Sequence, residues 1–165
     1  MKLEVLSADV LEYEGDGVVI PTNSLGLMAE GLAARAKGAA GQSVEDAVRQ
    51  HTPIAVGAAL VTEVASLPVR YMIHAPLVEE PGMRIGVENI RRATRASLLA
   101  AEHFEMHSVA IPAMGFGEVG VSHEEAARAM IDEVIGFKGD FPQVVALIAD
   151  DLDMYDALET QARSK

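Results

Sequence analysis

The sequence contains no cysteine, which excludes disulfides, thiolate nucleophiles and Cys-ligated zinc. Basic residues are scarce: thirteen Lys and Arg stand against twenty-five Asp and Glu, leaving a net charge of −12. Phosphate backbones are gripped mainly by Lys and Arg, so no nucleic-acid partner is expected. An anionic membrane surface would repel such a chain. No apolar run is long enough to span a bilayer. Residues 1–20 carry acids where an export signal would place a basic start and an apolar run, so a cytoplasmic location is expected. A Gly-x-Ser-x-Gly elbow, a Walker lysine and a two-metal histidine motif are all missing.

What remains is a chain of 165 residues, half hydrophobic and 23% charged, the size and composition of one globular domain. No linker, repeat or low-complexity tract divides it, so residues 1–165 are read as one domain. Short β-branched runs alternate with longer Ala-rich amphipathic stretches. They predict strands over 3–6, 17–20, 58–62, 71–75, 108–111 and 144–148, and helices over 31–38, 43–50, 87–107, 123–137 and 153–162. Ser122 and Asp153 carry the chemistry of helix N-caps. Strands such as 18–20 and 108–111 lack polar alternation and read as covered on both faces. The expected fold is therefore α/β, three layers (α/β/α), with a central mixed sheet and helices on both faces.

In such folds, functional loops follow the carboxyl ends of strands. Two loops qualify. One runs from Ile20-Pro21-Thr22-Asn23-Ser24 through Gly26 and Met28 to Ala29-Glu30-Gly31; the other runs Pro112-Ala113-Met114-Gly115-Phe116-Gly117-Glu118-Val119-Gly120. Alternate glycines free the backbone to turn N–H groups toward one point, and a following helix N-terminus adds partial positive charge. Two such loops suit a diphosphate gripped from both sides; the plainer reading is that the glycines only shape tight connections.

Taken in order, these segments resemble the macro domain family. The Asp-hydrophobic pair is Asp9-Val10, and the strand ending in an Asn-Ala-Ala-Asn-Ser type motif is Ile20-Pro21-Thr22-Asn23-Ser24. The glycine-rich loop and small-residue helix begin at Gly26, and Val61-Thr62 and Ile73-His74-Ala75-Pro76 match the next two strands. The second loop matches from Pro112 to Gly120, before the Glu-Glu-Ala-Ala helix start at Glu124. The resemblance implies binding of ADP-ribose or an ADP-ribosylated protein, with no cofactor and no metal. It places Asp9 at the adenine amino group, with Val10 beside it, in a charge-assisted bond. It places Asn23 near the distal ribose, as the one candidate for a positioning role in catalysis. Ala29, Glu30, Gly31, Gly115, Phe116, Gly117, Glu118, Val119 and Gly120 would surround the diphosphate.

The chain departs from the family pattern within these motifs. The first Asn of the strand motif is Ile20, which can neither hydrogen-bond a ribose nor hold a water. Ala29 and Glu30 replace glycines; at about 6 Å and an effective dielectric near 20, a Glu30 carboxylate would repel a phosphate charge by about 3 kcal/mol. Phe116 stands where a small hydroxylated residue is usual, Glu118 adds an acid, and Ala149 aligns with the aromatic that stacks on adenine. Three functions stay open: an ADP-ribose-binding module, a hydrolase removing or processing ADP-ribosyl groups, and a fold that lost its pocket and serves assembly. Elsewhere, His103 and His107 read as a solvated helix end, His74 as a hydrogen-bonded interior histidine, and Arg91 with Arg95 as interhelix pairing residues.

Overall fold

A computed structural model describes every residue, Met1–Lys165. Six strands, β1 (Lys2–Ser7), β2 (Gly17–Asn23), β3 (Leu60–Glu63), β4 (Tyr71–Val78), β5 (Ser108–Pro112) and β6 (Val144–Ala149), form one sheet in the order β1-β6-β5-β2-β4-β3. All neighbours are parallel except β3 and β4. The short 64–70 connection explains that exception: it allows a hairpin return, closed by the Val64 N–H donating to Arg70 O at 2.8 Å. The sheet is thus mixed.

The central strands alternate between two apolar cores, which is why they show no polar face. Val19, Ile73, Val109, Ile111, Val145 and Leu147 join the core on one side of the sheet. There they meet α3 (Val87–His103), α4 (His123–Gly136) and α5 (Leu152–Arg163). Val18, Ile20, Met72, Ala110, Ala146 and Ile148 point to the opposite core, covered by α1 (Gly31–Ala40) and α2 (Gln42–Arg49). Arg91 of α3 reaches Asp132 at 3.6 Å and Glu133 at 4.0 Å on α4, the interhelix pairing its position suggests, whereas Arg95 is exposed and carries no ion pair.

Several boundaries differ from the sequence expectation. β2 continues through Pro21 to Asn23; its pairing with β5 covers only Gly17 and Val18, so the two strands part early and a residue without an N–H is tolerated beyond. The helix expected over 87–107 ends at His103. There the Glu105 N–H donates to Glu102 O at 3.0 Å and the Met106 N–H to Ala101 O at 2.8 Å, a Schellman closure that turns buried Met106 inward. α4 is capped by Ser122, whose Oγ accepts from the Glu125 N–H at 3.1 Å, as read from the sequence. α5 is capped two residues earlier than expected: Asp151 Oδ1 accepts from the Asp153 N–H at 2.9 Å.

Glu105 occupies the left-handed position of the Schellman turn, φ 51°, where glycine is usual. Left-handed backbone costs a non-glycine residue about 1–2 kcal/mol, partly offset by glycine's greater freedom when unfolded. Glu105→Gly is therefore expected to raise the melting temperature by about 1–3 °C, as checked by calorimetry; a fall would place the strain elsewhere.

Candidate functional site

β2 and β5 are neighbours, but the chain leaves β2 toward β4 and leaves β5 toward β6. Connections departing in opposite directions open a crevice at the carboxyl ends of the two strands, and both glycine-bearing loops lie there.

The first loop is fixed from within. The side chain of Asn23 accepts from the N–H groups of Leu25 (3.1 Å) and Leu27 (3.3 Å), and its Nδ2 donates to Leu27 O at 3.0 Å. Its amide, expected beside the distal ribose, thus holds the turn that carries the loop. Next, the Met28 N–H donates to Glu45 Oε2 on α2 at 2.6 Å. Glu45 is only 8% exposed, and Gln42 Nε2 (2.8 Å) and Lys37 Nζ (3.6 Å) complete its environment. The Met28 N–H, followed by the Gln42 amide, holds the Glu45 carboxyl below its usual pKa despite burial. Beyond Met28 the internal acceptors stop: the N–H groups of Ala29, Glu30, Gly31, Leu32 and Ala33 donate to nothing in the chain. Ala29, Glu30 and Gly31 are exposed, with Glu30 preceding the first turn of α1.

The second loop is a tight closure. The Val121 N–H donates to Gly115 O at 2.9 Å and the Gly117 N–H to Val121 O at 3.2 Å, while Val119 O accepts from the Ile85 N–H at 2.7 Å. Two glycines are demanded by space as well: a Cβ on Gly115 would strike the Ile90 side chain, and one on Gly120 would strike the Gly115 carbonyl. The N–H groups of Met114, Gly115, Phe116, Glu118 and Val119 find no acceptor in the chain. Glu118 and Val119 are exposed, and Phe116 is half-buried with its ring 5.0 Å from that of His123.

Two hollows flank the start of α1. One, of about 110 Å³, lies at the ends of β1, β5 and β6 and is lined among others by Asp9, Val10, Arg35, Phe116 and Ala149. Asp9 caps the turn Val10–Glu12 through the Leu11 N–H (3.0 Å), and Arg35 Nη2 donates to its other oxygen at 2.6 Å. The N–H of Val10 is unpaired. The other hollow, of about 160 Å³, is lined among others by Thr22, Asn23, Glu30, Pro81 and Gly82. Leu32 and Arg35 border the first hollow while Glu30 and Ala33 border the second, so one helical turn lies between them.

Away from the crevice, His74 is fully buried, sharing a 2.8 Å hydrogen bond through Nε2 with Thr62 Oγ1. Burial lowers its pKa to about 4, so the ring is neutral at pH 7. His103 packs edge-on against Phe104, and the His107 N–H donates to Asp16 Oδ2 at 2.6 Å. No helix is long and apolar enough to cross a membrane.

The crossing order, the three layers and the paired loops define a three-layer α/β fold with a crevice at the carboxyl ends of β2 and β5. A family model for the Macro domain matches residues 19–130. The chain is 39% identical over 159 residues to an uncharacterised protein of Aquifex aeolicus, covering 96% of each chain. It is 38% identical over 161 residues to another of Aeropyrum pernix, covering 98% of this chain and 85% of that one. Among solved structures, a mutant macrodomain of Oceanobacillus iheyensis with ADPR superposes with a TM-score of 0.85 at 19% identity, over 98% of this chain and 92% of that one. A Trypanosoma brucei macrodomain in complex with ADP-ribose gives 0.84 at 20% identity, over 96% and 68% respectively. The chain belongs to the macro domain family.

Three residues of the crevice escaped the sequence reading. Glu45 was legible as an acid on an apolar helix face, between Val44 and Val48. Arg35 is one of two long cations, with Lys37, in an Ala-rich helix, and Thr22 shares a strand face with Ile20. Glu45→Gln should lower stability by about 1–3 kcal/mol at pH 7, the range for a charge-assisted hydrogen bond. A group with a depressed folded pKa contributes above its unfolded pKa of about 4.3, and that contribution fades as pH falls through the folded value. The melting gap between wild type and Glu45→Gln should therefore close below about pH 4; His74 titrates in both proteins and cancels. A gap that widens in acid would refute the assignment.

Proposed function

We propose that this chain is an ADP-ribose-binding module whose two loops hold the diphosphate. The observation that carries the reading is the paired runs of N–H groups without internal acceptors, at 29–33 and within 114–119, on loops that follow adjacent strands. Backbone N–H groups are obligatory donors, and at a helix start they favour an anion. The hollow bearing the Asp9 carboxylate and the free Val10 N–H suits a base that offers an amine and a ring-nitrogen acceptor. The Oceanobacillus iheyensis and Trypanosoma brucei macrodomains of the same fold are complexes with ADP-ribose, which supports the choice of ligand.

The reading favours binding over hydrolysis. Ile20 is fully buried in the apolar core, and the Asn23 amide is committed to its own loop, so neither supplies a base. It also favours binding over a lost pocket, because Phe116 is only half-buried and the loop amides remain unpaired.

ADP-ribose at about 100 times its dissociation constant should add about 2.7 kcal/mol of stability, a shift of about 5–10 °C for a domain of this size, with little response to AMP. No shift at millimolar ADP-ribose would overturn the proposal. Glu30→Gln removes a like charge beside the first loop without changing side-chain size, and solvent screening moderates the effect. Affinity should rise about 3–10-fold at low salt and the gain should shrink in high salt; calorimetry at two ionic strengths checks both.

A further inference from the structure

We propose that this chain pairs with a second copy of itself along the free edge of β3, joining the two sheets across a two-fold axis. β3 ends the sheet, so one side of it has no neighbouring strand. The Val64 N–H donates to Arg70 O, and the register with β4 sets Thr62 opposite Met72 and Leu60 opposite His74. Bonded pairs alternate along an antiparallel ladder. Leu60, Thr62 and Val64 therefore turn their backbone groups to β4, while Val61 and Glu63 turn theirs to the open edge.

The other edge is guarded and this one is not. β1 carries Lys2 and Glu4, paired at 3.2 Å, and charge on an edge strand discourages docking there. β3 reads Leu-Val-Thr-Glu, with its one charge at the end. Beside it a hollow of about 370 Å³ lies between the strand and α3, lined among others by Ala59, Val61, Leu99 and Phe104. No carboxylate lines it, in a chain with twenty-five acids. Leu99 is 48% exposed and Phe104 43%, so the apolar surface continues onto the outside of α3. Two chains of net charge −12 approach with least repulsion through such a face.

Charge complementarity names the occupant as a second copy. A two-fold contact sets one surface against itself. With Val61 on the axis, Glu63 of each copy lies opposite Ala59 of the other, on the face that packs toward α3. The diagonal neighbour on that face is Gly57, and the stem of Arg92 lies against it, 4.0 Å from where a Cβ would stand. Arg92 is exposed and, unlike Arg91, carries no ion pair within the chain. Glu63 of each copy thus reaches Arg92 of the other, giving two related ion pairs that flank an apolar centre. Leu99, between Arg92 and Phe104 along α3, stands at that centre with Val61. Phe104 lies at the Glu63 end, since its ring is 5.4 Å from that of Tyr71, which pairs with Glu63. There it meets Gly57, Ala58 and Ala59 of the second copy, which are small enough to admit it.

The test is sedimentation equilibrium of the full chain and its variants, with circular dichroism to show that each is folded. Wild type should be dimeric at about 100 μM, and Leu99→Asp, an acid placed at the axis, should be monomeric there. Glu63→Arg and Arg92→Glu should each weaken dimerisation about 10-fold, because each sets like charges together twice. An equimolar mixture of those two variants should dimerise as wild type does, since both ion pairs reform between unlike copies. A monomeric wild type overturns the proposal and leaves the edge to a strand of another protein. A dimer that Leu99→Asp leaves intact also overturns it. A mixture no more dimeric than either variant alone overturns the pairing of Glu63 with Arg92. None of the varied residues lines the two hollows flanking α1, so the outcome is independent of the ADP-ribose reading.

Discussion

The crevice depends on one constraint: every backbone N–H must find an acceptor, and the two loops stop short of providing them. Along the first loop the supply is sequential. Asn23 serves Leu25 and Leu27, Glu45 serves Met28, and from Ala29 onward nothing in the chain remains. The charge at Glu45 is stabilised in a nearly dry setting because its two oxygens meet an N–H, an amide and an ammonium. Its hold on Met28 fixes where α1 begins and so which amides stay free. The second loop reaches a similar end without charge, since Gly115 and Gly120 pack so closely that its carbonyls turn inward while its amides do not all follow.

The layers and the sheet were legible in the sequence because burial on both faces leaves uninterrupted apolar strands, and Val18, Val19 and Ile20 show that alternation divided between two cores. The mixed character was expected from the sequence, and the short 64–70 link between the observed strands gives its physical reason. Boundaries were less so: nothing in the 103–107 pattern announces that a glutamate adopts the left-handed turn, because periodicity continues past the point where the backbone stops. The loops themselves were visible as glycine-bearing segments after strands. Their anchors were harder to read: the apolar neighbours Val44 and Val48 mark Glu45 as inward-facing but do not name Met28 as its partner, and the bond from Arg35 to Asp9 spans two elements that no local pattern links.

The substitutions that set this chain apart fall into place by depth. Ile20 sits in the core, in the same apolar cluster as Met72 and Ala36. Ala149 is buried at the end of β6, and the aromatic surface lining that hollow belongs to Phe116, braced by His123. Glu30 lies outside, in solvent. The crevice thus keeps its backbone geometry while its side-chain chemistry shifts toward the rim.

The contact between Arg35 and Asp9 changes what occupancy of the hollow beside Asp9 means. With one oxygen held by the Leu11 N–H and the other by a guanidinium, the carboxylate keeps a lone pair on each oxygen for a further donor, but its charge is already partly neutralised. A donor entering there therefore gains less from the carboxylate than it would from one without a guanidinium beside it. Dissolved ions weaken the guanidinium's grip just as they weaken attraction for a dianion. For a ligand held as proposed, the two trends oppose each other, and salt weakens its affinity less than phosphate contacts alone would give.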